Sequence, residues 1–175
     1  MSTLNHINLE SLRQLREEAS ADPTKAKLRP KIRGEWLFGE GEPQFRAVVE
    51  VEAGAFTLDA DMPTRLGGGG SAPSPLHYCL YGLAACFAAT YASIAAQEGV
   101  KLGHLEIKAE SHIDLSRVLE LADRPIAEGI YWTVRVEADA RPEDLERIKR
   151  LAEERCPAVY CVTNPVKLEI NLEVA

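Results

Sequence analysis

From Pro75 to Gln97 the chain carries no Lys, Arg, Asp or Glu, although 27% of its residues are charged. Ser74 is a good helix N-cap, and Pro75 suits the first helical position, where its missing N–H costs nothing. Glu98-Gly99 supplies a stop. The spacing predicts one helix over 75–97, roughly 35 Å long at 1.5 Å per residue. A helix apolar nearly all round must be buried on most sides or lie in a membrane. Ala84, Ala88, Ala92 and Ala96 form an i, i+4 row of small side chains that lets another helix or a sheet approach closely. His77, Tyr78, Tyr81, Thr90, Tyr91 and Ser93 keep the stretch only mildly hydrophobic on an insertion scale. Burial inside protein is the expectation, with no membrane span.

The flanking sequence supplies what such a helix needs. Ile32, Gly34, Trp36 and Phe38 alternate with Lys31, Arg33 and Glu35. Phe45, Ala47, Val49 and Val51, then Phe56, Leu58 and Ala60, continue the period-two pattern across turns at 39–43 and 53–54. This predicts a three-stranded antiparallel meander with one buried face. Beyond the helix, alternation returns over 105–113 and 130–138, and again over 166–174. Arg141-Pro142 opens another helix, with Leu145, Ile148, Leu151 and Ala152 as its apolar stripe and Cys156-Pro157 as its end. An amphipathic N-terminal helix carries Leu9, Leu12, Leu15 and Ala19 on one side and stops at Asp22-Pro23, with Asn8 as a candidate N-cap. The order α-βββ-α-ββ-α-β with amphipathic strands is α+β, built of largely antiparallel sheets around the central helix. The glycine run 67–70 lacks the Lys-Ser/Thr of a phosphate loop and reads as a mobile connector.

Residues 1–25 read as a helical appendage to a domain at 26–175. The formal net charge of -7 leaves no basic excess for a nucleic-acid surface. The N-terminus has no apolar signal segment, so the expected compartment is the cytoplasm. There, four cysteines are free thiols, metal ligands or redox groups before they are structural bridges.

Two cysteines lie in distinctive settings: Gly82-Leu83-Ala84-Ala85-Cys86-Phe87 and Arg155-Cys156-Pro157-Ala158-Val159. A thiol enzyme of the two-cysteine kind needs a reactive thiolate and a second thiol able to close a disulfide, with Cα atoms within about 7 Å. Sequence alone does not place residues 86 and 156 that close. Pro-x-x-Leu before the Gly-x-Ala-Ala-Cys-Phe helix, then Cys-Pro, then a closing strand, resembles the OsmC/Ohr superfamily. This group includes osmotically inducible protein C and the organic hydroperoxide resistance proteins. The resemblance runs from about Lys31 to Val174 and leaves out the N-terminal helix. It implies an OsmC-like fold and an intertwined homodimer with buried central helices. Cys86 then matches the peroxidatic thiol that attacks a small organic hydroperoxide. Cys156 matches the resolving thiol, whose disulfide is later reduced by a dithiol. No cofactor or metal is implied.

The chain departs from the hydroperoxide reductases of that group at two places. Leu76 stands where they carry a Glu in an Asn-Pro-Glu-Gln motif, and the turn Gly39-Glu40-Gly41-Glu42 lacks their Arg. A mid-helix cysteine gains little from the helix dipole, and an apolar setting raises a thiol pKa. Some other group must serve: Arg33, Arg46, Arg65 and Arg155 are candidate cations, and His77 a candidate base. The departure equally motivates a non-catalytic reading, in which the protein binds an apolar ligand or senses oxidation. Cys86 by itself also fits a small buried hydrophobe. Cys79 is expected in core packing, and Cys161 is an alternative resolving thiol. A zinc site is disfavoured: Cys156 and Cys161 alone have Cys-x4-Cys spacing, and Cys79 and Cys86, with six residues between them, do not supply the second such pair of a four-ligand set.

Overall fold

A computed structural model describes residues 3–174. In chain order the elements are β1 (Thr3–Leu4), β2 (Ile7–Asn8), α1 (Leu9–Ala21), β3 (Arg33–Trp36), β4 (Phe45–Val51), β5 (Gly54–Ala60), α2 (Pro75–Gln97), β6 (Leu102–Ile113), β7 (Ala127–Ala138), α3 (Pro142–Arg155) and α4 (Pro157–Thr163). The chain divides into two compact units. One runs from Glu10 to Tyr81, and the other joins the N-terminus up to Leu9 with everything from Gly82 onward.

In the first unit the alternating stretches pair as the antiparallel meander β3-β4-β5. Trp36 faces Phe45, Gly34 faces Ala47, and Ala47 faces Leu58, so the apolar positions share one side of the sheet. The opposite side carries Arg46, whose guanidinium donates to both carboxylate oxygens of Asp59 at 2.7 and 3.1 Å. Only Ala47 and Ala60 are fully buried on the apolar side; Trp36, Phe45 and Phe56 stay open within one chain.

The glycine run is a built loop and not a bare connector. Asp61 is 2% exposed. Its carboxylate accepts from the backbone N–H of Gly69 and Ser71 and from the Ser71 hydroxyl at 3.2, 2.9 and 2.7 Å. Those donors hold the carboxyl below its ordinary range, Ser71 contributing most. Gly68 sits so close to the Met62 carbonyl that a Cβ has no room. α2 then starts at Pro75, with the Ser74 carbonyl accepting from the N–H of His77 and Tyr78 at 2.9 and 3.3 Å, and with a feature the sequence did not suggest: Nδ1 of His77 accepts from the Ser74 N–H at 3.2 Å and lies 2.9 Å from its hydroxyl. This is one half of a capping box, with a histidine in the place of Glu or Gln.

In the second unit β6 and β7 pair antiparallel, matching Leu105 with Val136, Ile107 with Val134 and Ala109 with Trp132. Their apolar side packs on the later part of α2 and on α3. Phe87, Tyr91, Ile94, Ala95, Ile148, Ala152 and Cys156 form the buried cluster. Phe87 meets Trp132 with ring centroids 5.4 Å apart, and the Tyr91 hydroxyl donates to the Leu145 carbonyl at 3.2 Å. The β1-β2 turn is tied to this unit by Asn5, whose side chain bonds the Val100 carbonyl and the Leu102 N–H, both at 2.9 Å.

α2 is long and apolar enough to cross a membrane by length and composition. Its buried residues all lie from Phe87 onward, in the core of the second unit. Its earlier turns expose Leu76, Cys79 and Tyr81. Two expectations change. α4 follows Pro157 directly, where the sequence suggested only a chain end to α3. The segment 166–174 forms no regular element and pairs with no strand among the described residues, and Leu168, Ile170 and Leu172 are each at least 79% exposed. Alternation marks a segment suited to a half-buried strand, but pairing needs an edge that a single chain does not offer here.

Candidate redox site

Proline chemistry positions Cys156. Pro157 has no N–H and disfavours the α region for the residue before it. α3 therefore closes on the Cys156 N–H bond to Ala152 at 2.9 Å, Cys156 itself turns extended at φ -76° and ψ 120°, and α4 begins at once. The turn directs Cys156 inward, to 1% exposure within the buried cluster. Cys86 lies one residue before the core aromatic Phe87, so it borders the same cluster but stays partly open. The two sulfurs are 3.7 Å apart. A disulfide needs about 2.05 Å, so closure is a local rotation of side chains more than a rearrangement of the fold.

Burial pushes the Cys86 thiol above its ordinary range. The backbone N–H of Ala158 pulls the other way, while Cys156 and Cys161 add to the rise. Among the described residues, no arginine contributes to that shift. Arg46 is bound to Asp59. His77 caps α2. Arg155 alone of the four candidate cations lines the Cys86 cleft.

That cleft has a volume of about 480 Å³. One wall is the α2 face of Cys86, Ala89, Thr90, Ser93 and Gln97; Arg155 and Pro157 form the other. Thr90 donates to the Cys86 carbonyl at 2.9 Å and Gln97 to the Ser93 carbonyl at 3.1 Å, so each gives one hydrogen bond to the helix itself. The sequence reading missed this wall and the Ala158 N–H. The signal was present: Ala89, Thr90, Ser93 and Gln97 follow Cys86 at helical spacing and put polar groups on one stripe of an apolar helix.

Cys79 is exposed, contrary to the core packing expected of it within one chain, and Cys161 is exposed on α4. Among the described residues, no group of three or more His, Cys, Asp or Glu side chains is placed to hold a metal ion.

The model of the family described as OsmC-like protein matches residues 68–171, which include α2, the paired strands β6 and β7, and Cys86 and Cys156. The chain belongs to the OsmC-like protein family. The solved structures it resembles agree on the fold. An OsmC-like protein from Mycoplasma pneumoniae superposes with a TM-score of 0.58 at 19% identity, covering 85% of this chain and 97% of that one. An organic hydroperoxide resistance protein OsmC from Legionella pneumophila gives 0.56 at 21% identity, covering 78% and 91%. An organic hydroperoxide resistance protein from Elizabethkingia anophelis gives 0.50 at 18%, covering 78% and 90%. No curated protein matches the chain. The OsmC-like α+β fold expected from the sequence is therefore the fold observed.

Proposed function

We propose that this OsmC-like protein is a thiol-dependent peroxidase that reduces small organic hydroperoxides. The observation that carries the reading is the 3.7 Å approach of Cys156 to Cys86, which itself lines an open cleft. The Cys86 thiolate attacks the outer peroxide oxygen, and the O–O bond breaks. The leaving alkoxide takes a proton and departs as the alcohol. Cys86 is now a sulfenic acid. Cys156 attacks its sulfur as a thiolate, hydroxide leaves and is protonated to water, and the disulfide remains. A dithiol donor reduces the pair and is itself oxidised to a disulfide. No metal or organic cofactor enters these steps. Free thiols of this kind suit a reducing compartment, the cytoplasm.

The working form in this proposal is a homodimer. Supporting it are the open early turns of α2, the uncovered apolar side of the meander and the unpaired segment 166–174. Residues 1–25 stand as a helical appendage to a domain at 26–175.

Steady-state turnover of cumene hydroperoxide with a dithiol tests the peroxidase. Turnover by the wild type that falls to background in Cys86→Ser supports it; undiminished turnover by the variant removes Cys86 from the reaction. A second reading, a non-catalytic binder or oxidation sensor, is favoured by one observation: the Cys86 thiol is raised and no cation lowers it. That reading expects disulfide closure or ligand retention without turnover.

A further inference from the structure

From Gly82 onward the chain has seven arginines. Arg117, Arg124, Arg135, Arg141, Arg147 and Arg150 each lie within 4.0 Å of a carboxylate oxygen. Arg155 has no such partner among the described residues, and it is the one charged side chain on the Cys86 cleft. Its charge is also absent from those that act on the Cys86 sulfur, so its role is not explained by activation of the thiol. A guanidinium is a fork of N–H donors shaped for a carboxylate. Of the remaining polar wall, Thr90 and Gln97 each donate to an α2 carbonyl, and Thr90, Ser93 and Gln97 are all neutral, so none of them supplies a charge. The cleft thus combines apolar surface from Ala89, Ile94 and Pro157 with a single uncommitted cation.

We propose that the Cys86 cleft binds small carboxylate-bearing organic molecules, the carboxylate paired with Arg155 and the apolar body laid along Ala89, Ile94 and Pro157. Resting on the peroxidase reading, it follows that the preferred hydroperoxides are acidic ones. The head group is held at Arg155 while the peroxide oxygen reaches Cys86.

The test is protection of Cys86 in the reduced full-length protein. Iodoacetamide labelling at Cys86 is followed by mass spectrometry with hexanoate or with neutral hexanamide present. Hexanoate is expected to protect at about fivefold lower concentration, the scale of one exposed charge pair, and the ratio should shrink in high salt. Arg155→Gln should bring the two probes within about twofold, and Arg155→Lys should keep part of the preference. Equal protection by the two probes in the wild type, or a preference that survives Arg155→Gln, overturns the proposal. A kinetic arm compares cumene hydroperoxide with its para-carboxylate. Acid-selective protection without turnover of either keeps the binding proposal and sinks the peroxidase. Turnover without acid preference in either measurement does the reverse.

Discussion

The sulfurs of Cys86 and Cys156 stand 3.7 Å apart, although 70 residues separate them in the chain. One comes from the middle of an apolar helix and the other from the proline-forced break between two helices. Their approach is a product of packing α3 and α2 on one sheet face, and it sets the first expectation. Stoichiometric hydroperoxide should close an intramolecular Cys86–Cys156 disulfide, seen as a loss of two thiols and a linked peptide pair by mass spectrometry. Cys156→Ser should instead leave a sulfenic acid on Cys86 that dimedone traps. A disulfide from Cys86 to Cys161 in the wild type would reassign the resolving thiol.

Cys86 should be a slow nucleophile at neutral pH. Burial favours its neutral form, so the thiolate fraction keeps rising beyond the ordinary thiol value of about 8.5. The rate of Cys86 alkylation should have its midpoint above that pH. Because the folded pKa is the raised one, the associated stability is complete below the unfolded value and declines as pH climbs toward the folded value. Cys156→Ala, which removes one contribution to the rise, should move the midpoint down. A midpoint below 8 in the wild type would show a cation at the sulfur.

Asp61 organises the loop into α2, and its substitution should be felt at acid pH. Its folded pKa is depressed by the Ser71 and Gly69 donors. The stability it contributes is present above the unfolded carboxylate value of about 3.9 and is lost as pH falls through the lower folded value. Asp61→Asn should lower the melting temperature at pH 7 and flatten the loss between pH 4 and pH 2, both read by thermal unfolding at a series of pH values. Unchanged melting at pH 7 would mean that the loop holds without the charge.

Ile148 is fully buried between α2 and the sheet. Ile148→Ala should cost about 2–5 kcal/mol by lost burial and the cavity left behind. Denaturant titration reads this directly. A loss below 1 kcal/mol would mean that the core around Tyr91 and Ala152 collapses into the space.

Removing the segment after Asn164 should change the assembly. Its alternating apolar residues are exposed and pair with no strand among the described residues, so a second copy is the partner expected to cover them. Sedimentation should find the full chain dimeric and the truncated chain monomeric. A truncated chain that remains dimeric would place the interface elsewhere.

Most of the fold was legible because its signals are local. Charge exclusion from Pro75 to Gln97 fixed one helix, and Ser74-Pro75 fixed where it starts. Period-two alternation identified β3 through β7, since a half-buried strand imposes that period on its own residues. The same signal over-predicted at 166–174. Alternation reports what a segment would do if an edge were offered, and edges belong to the fold. The glycine run was misread for a related reason: composition shows that a loop is permissive, while the buried Asp61 carboxylate that orders it contacts residues eight and ten positions away.

By itself, then, the sequence determined the element order, the α+β class and the two cysteine settings that mark the family. Those depend on neighbours within a few residues. Only the tertiary structure decided that Cys86 and Cys156 meet, and that Arg155 shares a cleft with Cys86 while Arg46 is tied to Asp59. Each of those is a matter of which side chains a packed core brings within hydrogen-bond reach, and a distance of 3.7 Å across 70 residues has no local signature.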